Sequence, residues 1–330
     1  MNDTAPPSND ILDAFHRLRQ ELEGCIIGQR SLVDRLLIAL LADGHLLVEG
    51  APGLAKTTAV KELAARIEGD FHRLQFTPDL LPADLTGTEI YRPATGSFEF
   101  QQGPIFHNLI LADEVNRAPA KVQSALLEAM AERQVTVGRI TYPLPELFMV
   151  MATQNPIEQE GTYPLPEAQL DRFLLHVRIG YPDAAAESAI LALARRQARE
   201  RLEHTAPTRE LVSQTQLFAA RETVLDLYLA PRLEEYLVQL VLASRHPEPY
   251  GQQLQRWIAY GASPRATIAL DRCARAHAWL EGRDYVSPED VHTVAPDVLR
   301  HRVLLTFEAE ADGVDTERVV RELLERVAVP

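Results

Sequence analysis

The chain has 330 residues, of which 46% are hydrophobic and 24% charged, and this ordinary globular composition excludes disordered and fibrous proteins and suggests two domains. No apolar stretch reaches the ~18 residues that cross a bilayer, and the net charge of −14 disfavours phosphate backbones, so neither a transmembrane segment nor a nucleic-acid partner is expected. Cys25 and Cys273 are the only cysteines and the N-terminus carries no signal-peptide core, so we expect a reduced, cytoplasmic setting.

Predicted strands and helices alternate through the first 182 residues. Helical spacing of apolar residues predicts helices over residues 11–22, 31–42, 56–67 and 119–133. Short apolar runs predict strands over residues 45–49, 107–112, 147–152 and 174–179, and an alternating pattern predicts a strand over 71–76. Turn residues predict two hairpins, over 89–101 and 134–140. This order indicates an α/β fold whose parallel sheet is covered on both faces.

The pattern changes after Pro182. Residues 183–203 predict a long helix, and helical periods dominate from residue 208 onward. They include helices over 265–281 and 287–305, the second broken near Pro296. We therefore predict a second domain that is entirely helical.

A candidate phosphate-binding loop lies between a predicted strand and a predicted helix, as such loops require. Backbone N–H groups at the start of the helix would bind phosphate oxygens, Lys56 would reach the β- and γ-phosphates, and the Thr57 hydroxyl would bind Mg²⁺. Ala55 stands where the last glycine of the usual pattern is expected, and a small residue can fit there. A chance Gly/Pro turn is the alternative. The predicted nucleotide-binding residues here are Gly50, Ala51, Pro52, Gly53, Leu54, Ala55, Lys56, Thr57 and Thr58.

Polar residues end two further predicted strands. Asp113 would hold Mg²⁺, and Glu114 would polarise a water molecule aimed at the γ-phosphate, which favours hydrolysis over transfer to a small molecule. Asn155 could orient that water molecule. Because ligands bind at the carboxyl ends of parallel strands, these side chains are expected to meet. The alternatives are an acidic start of a loop or helix, and an ordinary Asn-Pro turn.

Four segments resemble, in the right order, the motifs of the MoxR family of AAA+ ATPases. They are residues 50–57 (GAPGLAKT), 111–119 (LADEVNRAP), 152–156 (ATQNP) and 161–173 (GTYPLPEAQLDRF). The resemblance runs from about residue 23 to the C-terminus, and Ala55 is common in this family. It implies ATP and Mg²⁺ as cofactors and a ring homo-oligomer, expected to be a hexamer. It further implies a chaperone-like role, often with a partner that carries a von Willebrand factor A domain.

The same resemblance assigns further residues. Ile27 and Gly28 resemble the segment that packs on adenine, with ordinary core packing as the alternative. Arg172 resembles the arginine finger that reaches a neighbouring subunit's γ-phosphate, with a surface ion pair as the alternative. Arg265 resembles sensor 2, which could act on its own nucleotide or a neighbour's. Arg117 could link the site to the subunit interface.

The resemblance also suggests a division of the chain and a use for the hairpins. Residues 1–28 would form an N-terminal helix and the adenine-side segment, 29–185 the AAA+ P-loop core, and 186–330 the helical lid. In related proteins such hairpins line the pore or the upper face of the ring. The aromatic residues Tyr91, Phe98 and Phe100 could grip a polypeptide there or pack on the core.

Three other functions use a similar core. A DNA-directed motor needs clustered basic residues, and the hairpin over 134–140 offers only Arg139. A metal-chelatase motor subunit would share both the core and a von Willebrand-type partner. A small-molecule kinase would leave Glu114, Asn155 and Arg172 without a role.

Overall fold

A five-stranded parallel sheet forms the centre of the molecule, as the sequence predicts. The computed structural model describes residues 8–156, 161–202 and 210–329. In spatial order the strands are β2 (Phe71–Gln75), β5 (Leu109–Asp113), β8 (Met149–Gln154), β1 (Leu46–Glu49) and β9 (Leu175–Arg178). The carboxyl ends of all five therefore lie at one edge of the sheet.

Both faces of this sheet are covered by helices. On β8, Met149 and Met151 belong to one apolar cluster, whereas Val150 and Ala152 belong to the other, because successive side chains of a strand point to opposite faces. The helices of the core are α1 (Ser8–Cys25), α2 (Arg30–Leu41), α3 (Lys56–Ala64), α4 (Pro82–Thr86), α5 (Ala120–Glu132) and α6 (Glu167–Leu170). The first cluster contains side chains of α1, α2 and α3, and the second contains those of α4 and α5.

Both predicted hairpins are present in the core. Their strands are β3 (Gly87–Arg92) with β4 (Ser97–Gln102), and β6 (Gln134–Val137) with β7 (Ile140–Pro143). The Phe100 ring stacks on Tyr142 with centroids 4.1 Å apart, so it joins the two hairpins. Tyr91 and Phe98 contact each other at 5.3 Å and are 52% and 68% exposed. Of the three aromatic residues, Phe100 packs between the hairpins, whereas Tyr91 and Phe98 face solvent.

The second half of the chain is a helical lid region. Its helices are α7 (Ala184–Leu202), α8 (Gln214–Asp226), α9 (Pro231–Arg245), α10 (Gln252–Trp257), α11 (Pro264–Leu280), α12 (Pro288–Leu299), α13 (Phe307–Ala311) and α14 (Thr316–Arg326). A short antiparallel pairing of β10 (Ile258–Tyr260) with β11 (Leu304–Leu305) interrupts them. Among the helices in the described ranges, none combines the length and apolar character that a bilayer crossing demands.

The predicted helix over residues 287–305 is wrong at its end and at its break. Pro296 lies inside α12, which continues to Leu299. Pro296 has no N–H to donate within the helix, yet α12 continues for three residues beyond it. The chain leaves the helix afterwards because Arg302 turns toward the core and Leu304 pairs with β10.

Buried ion pairs join the lid to the core. Arg35 of α2 donates from Nε to Asp297 of α12 at 2.5 Å, and Arg300 donates to the same carboxylate at 2.7 Å. All three side chains are about 10% exposed or less, and a buried charge is tolerated only when it is paired. One apolar cluster also runs through both regions.

The division of the chain into 1–28, 29–185 and 186–330 remains a proposal. Its first boundary falls in the turn between α1 and α2, and its second lies just inside α7. Residues 1–7 of the first segment lie outside the described residues. α1 also packs on the lid, where the rings of Phe15 and Trp279 meet edge to face at 5.2 Å.

We expect stability to fall in acid because His45 is buried in its neutral form. Its Nδ1 accepts from Val150 N at 3.1 Å, while Nε2 lies 3.2 Å from Met130 O, so protonating Nδ1 would break a bond. Burial lowers its pKa from 6.5 to about 4. The unfolded chain therefore binds an extra proton in that window, and stability is lost as the pH falls from 6.5 toward 4.

The test compares His45→Gln with the parent protein by denaturant unfolding at several pH values. We expect the variant's stability to depend less steeply on pH, by up to ~1.4 kcal/mol per pH unit, the value for one proton. Other groups titrate equally in both proteins, so the difference between slopes isolates His45. Equal slopes would show that His45 does not carry this dependence.

Candidate active site

The predicted phosphate loop connects β1 to α3 in a strained, open conformation. Gly50 admits no side chain, because a Cβ there would lie 2.4 Å from Ile179 Cγ1. Gly53 has a φ of +84°, and nothing lies within 4 Å of where its Cβ would be. Ala55 adopts the left-handed conformation with φ +58°, which costs an L-residue ~1–2 kcal/mol. A small residue does fit at this position, and the loop leaves space beside its backbone.

The loop opens into a cavity of about 850 Å³, within the usual size range for a small-molecule or cofactor site. Lys56 Nζ donates to Gly50 O at 2.6 Å and to Gln154 O at 3.4 Å, so it joins the ends of β1 and β8. Eleven of the predicted site residues line this cavity. They are Ile27, Pro52, Gly53, Leu54, Ala55, Lys56, Thr57, Thr58, Asp113, Glu114 and Asn155.

Asp113 ends β5 at the edge of this cavity and is held from two sides. Its Oδ1 accepts from Thr153 Oγ1 at 2.6 Å, and its Oδ2 accepts from Arg73 Nη2 at 2.7 Å. The residue is 8% exposed. Its carboxylate is therefore fixed in orientation before any ligand arrives.

Glu114 follows directly, with a left-handed backbone at φ +57°. Such conformations in residues other than glycine are uncommon and cluster at functional sites. Its N–H donates to Thr153 Oγ1 at 2.9 Å, and its Oε2 accepts from Gln75 Nε2 at 2.8 Å. Arg117 Nε lies 3.2 Å from the same oxygen. Neighbouring strand ends thus fix both the backbone and the carboxylate of Glu114.

The oxygen ligands predicted for Mg²⁺ fit that ion. The Thr57 side chain and the Asp113 carboxylate line the same cavity, beside the loop. Hydroxyl and carboxylate oxygens are the hard ligands that Mg²⁺ takes when it completes its shell with phosphate and water.

Glu49 lies one residue before the loop, and its carboxylate contacts two basic side chains. His176 Nε2 lies 2.9 Å from its Oε2, and Arg178 Nε lies 3.3 Å from the same atom. The His176 contact and then Arg178 hold the pKa of Glu49 at about 2, against the opposing effect of burial. The carboxylate is thus ionised and paired with basic side chains, which would limit its repulsion of a phosphate bound at the loop.

The predicted adenine-side segment contributes Ile27 to the lining of the cavity. Ile190 and Leu191 of α7 line the same cavity. Gly28 does not line it. Its φ is +77°, and a Cβ there would lie 2.9 Å from Ala186 Cβ, so a glycine is needed for close packing against α7.

Arg172 and Arg265 line a second cavity, of about 320 Å³, and neither lines the first. Arg172 Nη1 donates to Leu127 O at 2.7 Å. Within residues 8–156, 161–202 and 210–329, no ion pair of Arg172 is formed, so the surface-pair alternative finds no support there. The Arg265 side chain is 55% exposed. The two arginines thus line one cavity, and the residues of the predicted phosphate loop do not line it.

Comparisons with known proteins agree with this geometry. Residues 45–175 match the family model described as "ATPase family associated with various cellular activities (AAA)", and residues 254–323 match "AAA lid domain". A Mycobacterium tuberculosis protein named Chaperone MoxR1 is 48% identical, covering 99% of this chain and 86% of that protein. Protein MoxR of Methylorubrum extorquens is 33% identical, covering 97% and 96%.

The chain belongs to the MoxR family of AAA ATPases. A crystal structure of a Cytophaga hutchinsonii protein superposes with a TM-score of 0.90 at 46% identity, covering 98% of this chain and 97% of that one. The α/β core and helical lid predicted from the MoxR resemblance are confirmed. Membership in this ATPase family implies nucleotide binding and ATP hydrolysis.

Sequence reasoning missed several side chains at this MoxR-family site. Arg73 and Gln75 lie two residues apart on β2 and so point to the same face, where they contact Asp113 and Glu114. Alternating polar residues at the end of a predicted strand were the available signal. Thr153, which bonds both acidic residues, carried no such signal because threonine is common in strands.

Proposed function

We propose that this chain is a Mg²⁺-dependent, chaperone-like ATPase that works as a ring homo-oligomer, a hexamer, and remodels or activates a protein partner. The observation that carries the proposal is the separation of its candidate catalytic groups into two cavities. One holds Lys56, Asp113, Glu114 and Asn155, and the other holds Arg172. The M. tuberculosis relative's name supports the chaperone-like role.

In the first cavity each residue has a distinct task. Lys56 binds the β- and γ-phosphates, Thr57 and Asp113 hold Mg²⁺, and Glu114 takes a proton from the attacking water molecule, which Asn155 orients. When bound, Mg²⁺ offsets the charge of the phosphate oxygens. Gln75 and Arg117 keep the Glu114 carboxylate at the cavity edge.

Arg172 and Arg265 act on the nucleotide of a neighbouring subunit. Both guanidinium groups line a cavity that their own phosphate loop does not reach. A second copy that presents its γ-phosphate here would receive two cations, which favours action of Arg265 on a neighbour's nucleotide over action on its own. Such a contact requires that every subunit has a neighbour to receive its arginines, and a closed ring meets this requirement.

This arrangement predicts that ATP and Mg²⁺ promote assembly. The γ-phosphate would form charge-assisted bonds with Arg172 across the interface, and these are stronger than bonds between neutral groups. Sedimentation velocity on Glu114→Gln protein, which keeps its ATP, should show larger particles with ATP and Mg²⁺ than without nucleotide. Parent protein that stays monomeric at every concentration with ATP and Mg²⁺, and still hydrolyses ATP at its full rate, would contradict the ring.

The exposed pair Tyr91 and Phe98 is proposed to contact the partner. Replacing both with Ala should weaken partner binding by about 2 kcal/mol, or about 30-fold in Kd, as for an aromatic hot spot. The measurement is partner-stimulated ATPase activity as a function of partner concentration. Tyr260→Ala, which removes another exposed aromatic ring, this one from the lid, is the matched control and should leave the titration unchanged. Equal titrations for the hairpin variant and the parent would remove the pair from the contact.

The nature of the partner separates the remaining functions. We propose a von Willebrand factor A domain protein, and the measurement is the ATPase rate with that protein, with a metalloporphyrin-chelatase partner or with single-stranded DNA. Stimulation by the first alone supports the proposal. Stimulation by DNA alone would favour the DNA-directed motor, and stimulation by the second would favour the chelatase motor.

A further inference from the structure

We propose that Asp171 is a positioning residue that joins Arg172 of the core and Arg265 of the lid into one unit. The proposal rests on the proposed action of these arginines on a neighbour's nucleotide. Asp171 directly precedes Arg172 in the chain, and its side chain is only 18% exposed. Its two carboxylate oxygens accept hydrogen bonds from two different parts of the lid.

The first bond fixes the start of the helix that carries Arg265. Ser263 is the N-cap of α11, and its Oγ donates to Asp171 Oδ2 at 2.8 Å. The same Oγ accepts from Arg265 N at 3.2 Å. The Ser263 hydroxyl therefore uses its single proton on Asp171 and a lone pair on Arg265, which places the backbone of Arg265 relative to the carboxylate.

The second bond fixes the carboxylate itself. Arg302 Nε donates to Asp171 Oδ1 at 2.8 Å, and its other nitrogens donate to the carbonyls of Phe173 and Val298. Only 3% of the Arg302 side chain is exposed, so this guanidinium cannot follow a ligand into solvent. One oxygen of Asp171 is thus anchored to a buried guanidinium, while its other oxygen accepts from Ser263.

Arg265 keeps its charge available in this arrangement. Its Nη1 lies 3.8 Å from Asp171 Oδ2, a distance too long for a hydrogen bond, and the side chain is half exposed. Asp171 therefore biases the direction of the Arg265 side chain without binding it tightly. A γ-phosphate, with more negative charge, can displace that weak attraction and recruit both arginines together.

The alternative is a purely structural role, in which Asp171 only compensates the charge of the buried Arg302. Replacing Ser263 separates the two roles, because Ser263→Ala removes the link to α11 and leaves the pair between Asp171 and Arg302 intact. Ser263→Thr keeps the hydroxyl and is the matched control. The readouts are kcat and KM for ATP, together with thermal unfolding to show that each variant is folded.

We expect Ser263→Ala to lower kcat between about 10- and 100-fold, as for a small misplacement of a catalytic group, with the KM for ATP nearly unchanged. Ser263→Thr should retain most of the activity. In an Arg265→Ala background, Ser263→Ala should lower kcat no further, because the group that it positions is already absent. Asp171→Asn should lower kcat in the parent protein and less strongly in an Arg265→Ala background, where only Arg172 is left for it to position.

Two failures can be told apart. If Arg172→Ala and Arg265→Ala both keep the full rate, the proposed action on a neighbour's nucleotide is wrong. If those variants lose activity while Ser263→Ala keeps it, or if Ser263→Ala costs as much with Arg265→Ala as without it, the positioning role of Asp171 is overturned.

Discussion

Glu114→Gln protein is expected to bind ATP as well as the parent protein and to hydrolyse it about 10²–10⁴-fold more slowly, the usual contribution of a general base. The amide oxygen of Gln can still accept from Gln75, so the local geometry should survive. Only the capacity to take a proton is lost. Steady-state ATPase assays and equilibrium binding of ATP measure the two effects separately.

Lys56→Ala should behave in the opposite manner and lose nucleotide binding. Its Nζ is the cation of the phosphate loop, and nothing else in the loop carries positive charge. Lys61→Ala is the matched control, because it removes an exposed lysine from the same helix.

The assignment of Glu114 as the base fails if Glu114→Gln hydrolyses ATP at the parent rate.

Arg172→Ala should fold and bind ATP, yet lose about 10³-fold or more of its hydrolysis rate, as expected for an arginine finger. The charge that develops on the γ-phosphoryl group would go unneutralised in the transition state, while Lys56 still binds the ground state. Arg232→Ala, an exposed arginine at the start of α9, serves as the control and should keep the full rate.

Mixing Arg172→Ala with Glu114→Gln should restore part of the activity. At some interfaces of a mixed ring, an intact Glu114 would face an intact Arg172 from the other variant. ATPase activity is measured after co-assembly has been verified by sedimentation. If co-assembled rings show no rescue, Arg172 does not act on a neighbour's nucleotide. If Arg172→Ala protein is fully active, Arg172 has no catalytic role.

The sequence predicted those parts of the molecule that depend on local pattern. Apolar runs located four strands of the sheet and an alternating pattern located β2, and the rule that ligands bind at carboxyl ends of strands brought Asp113, Glu114 and Asn155 to one cavity. It failed where distant contacts decide the outcome. The end of α12 depends on Arg302 meeting Asp171, 131 residues away, which no local pattern encodes.

The position of Arg265 could not be predicted for the same reason. A helix start with Ser-Pro-Arg indicates a cap, but the cavity that its third residue reaches depends on how the whole lid sits on the core. Arg73 and Gln75 were visible as polar residues on a strand. Their contacts depend on β2 pairing with β5, an order that the sequence left undetermined.

The buried contacts between lid and core limit how the two regions can move relative to each other. Swinging α12 away from α2 would separate Arg35 from Asp297 and expose the apolar cluster that runs through both regions, at about 25 cal/mol for each Å² uncovered. Each subunit should therefore travel as one piece during the nucleotide cycle. In the proposed ring, hydrolysis would therefore move whole subunits relative to one another by sliding or tilting at their interfaces. At each interface, the arginines of one copy would release the hydrolysed nucleotide of the next copy.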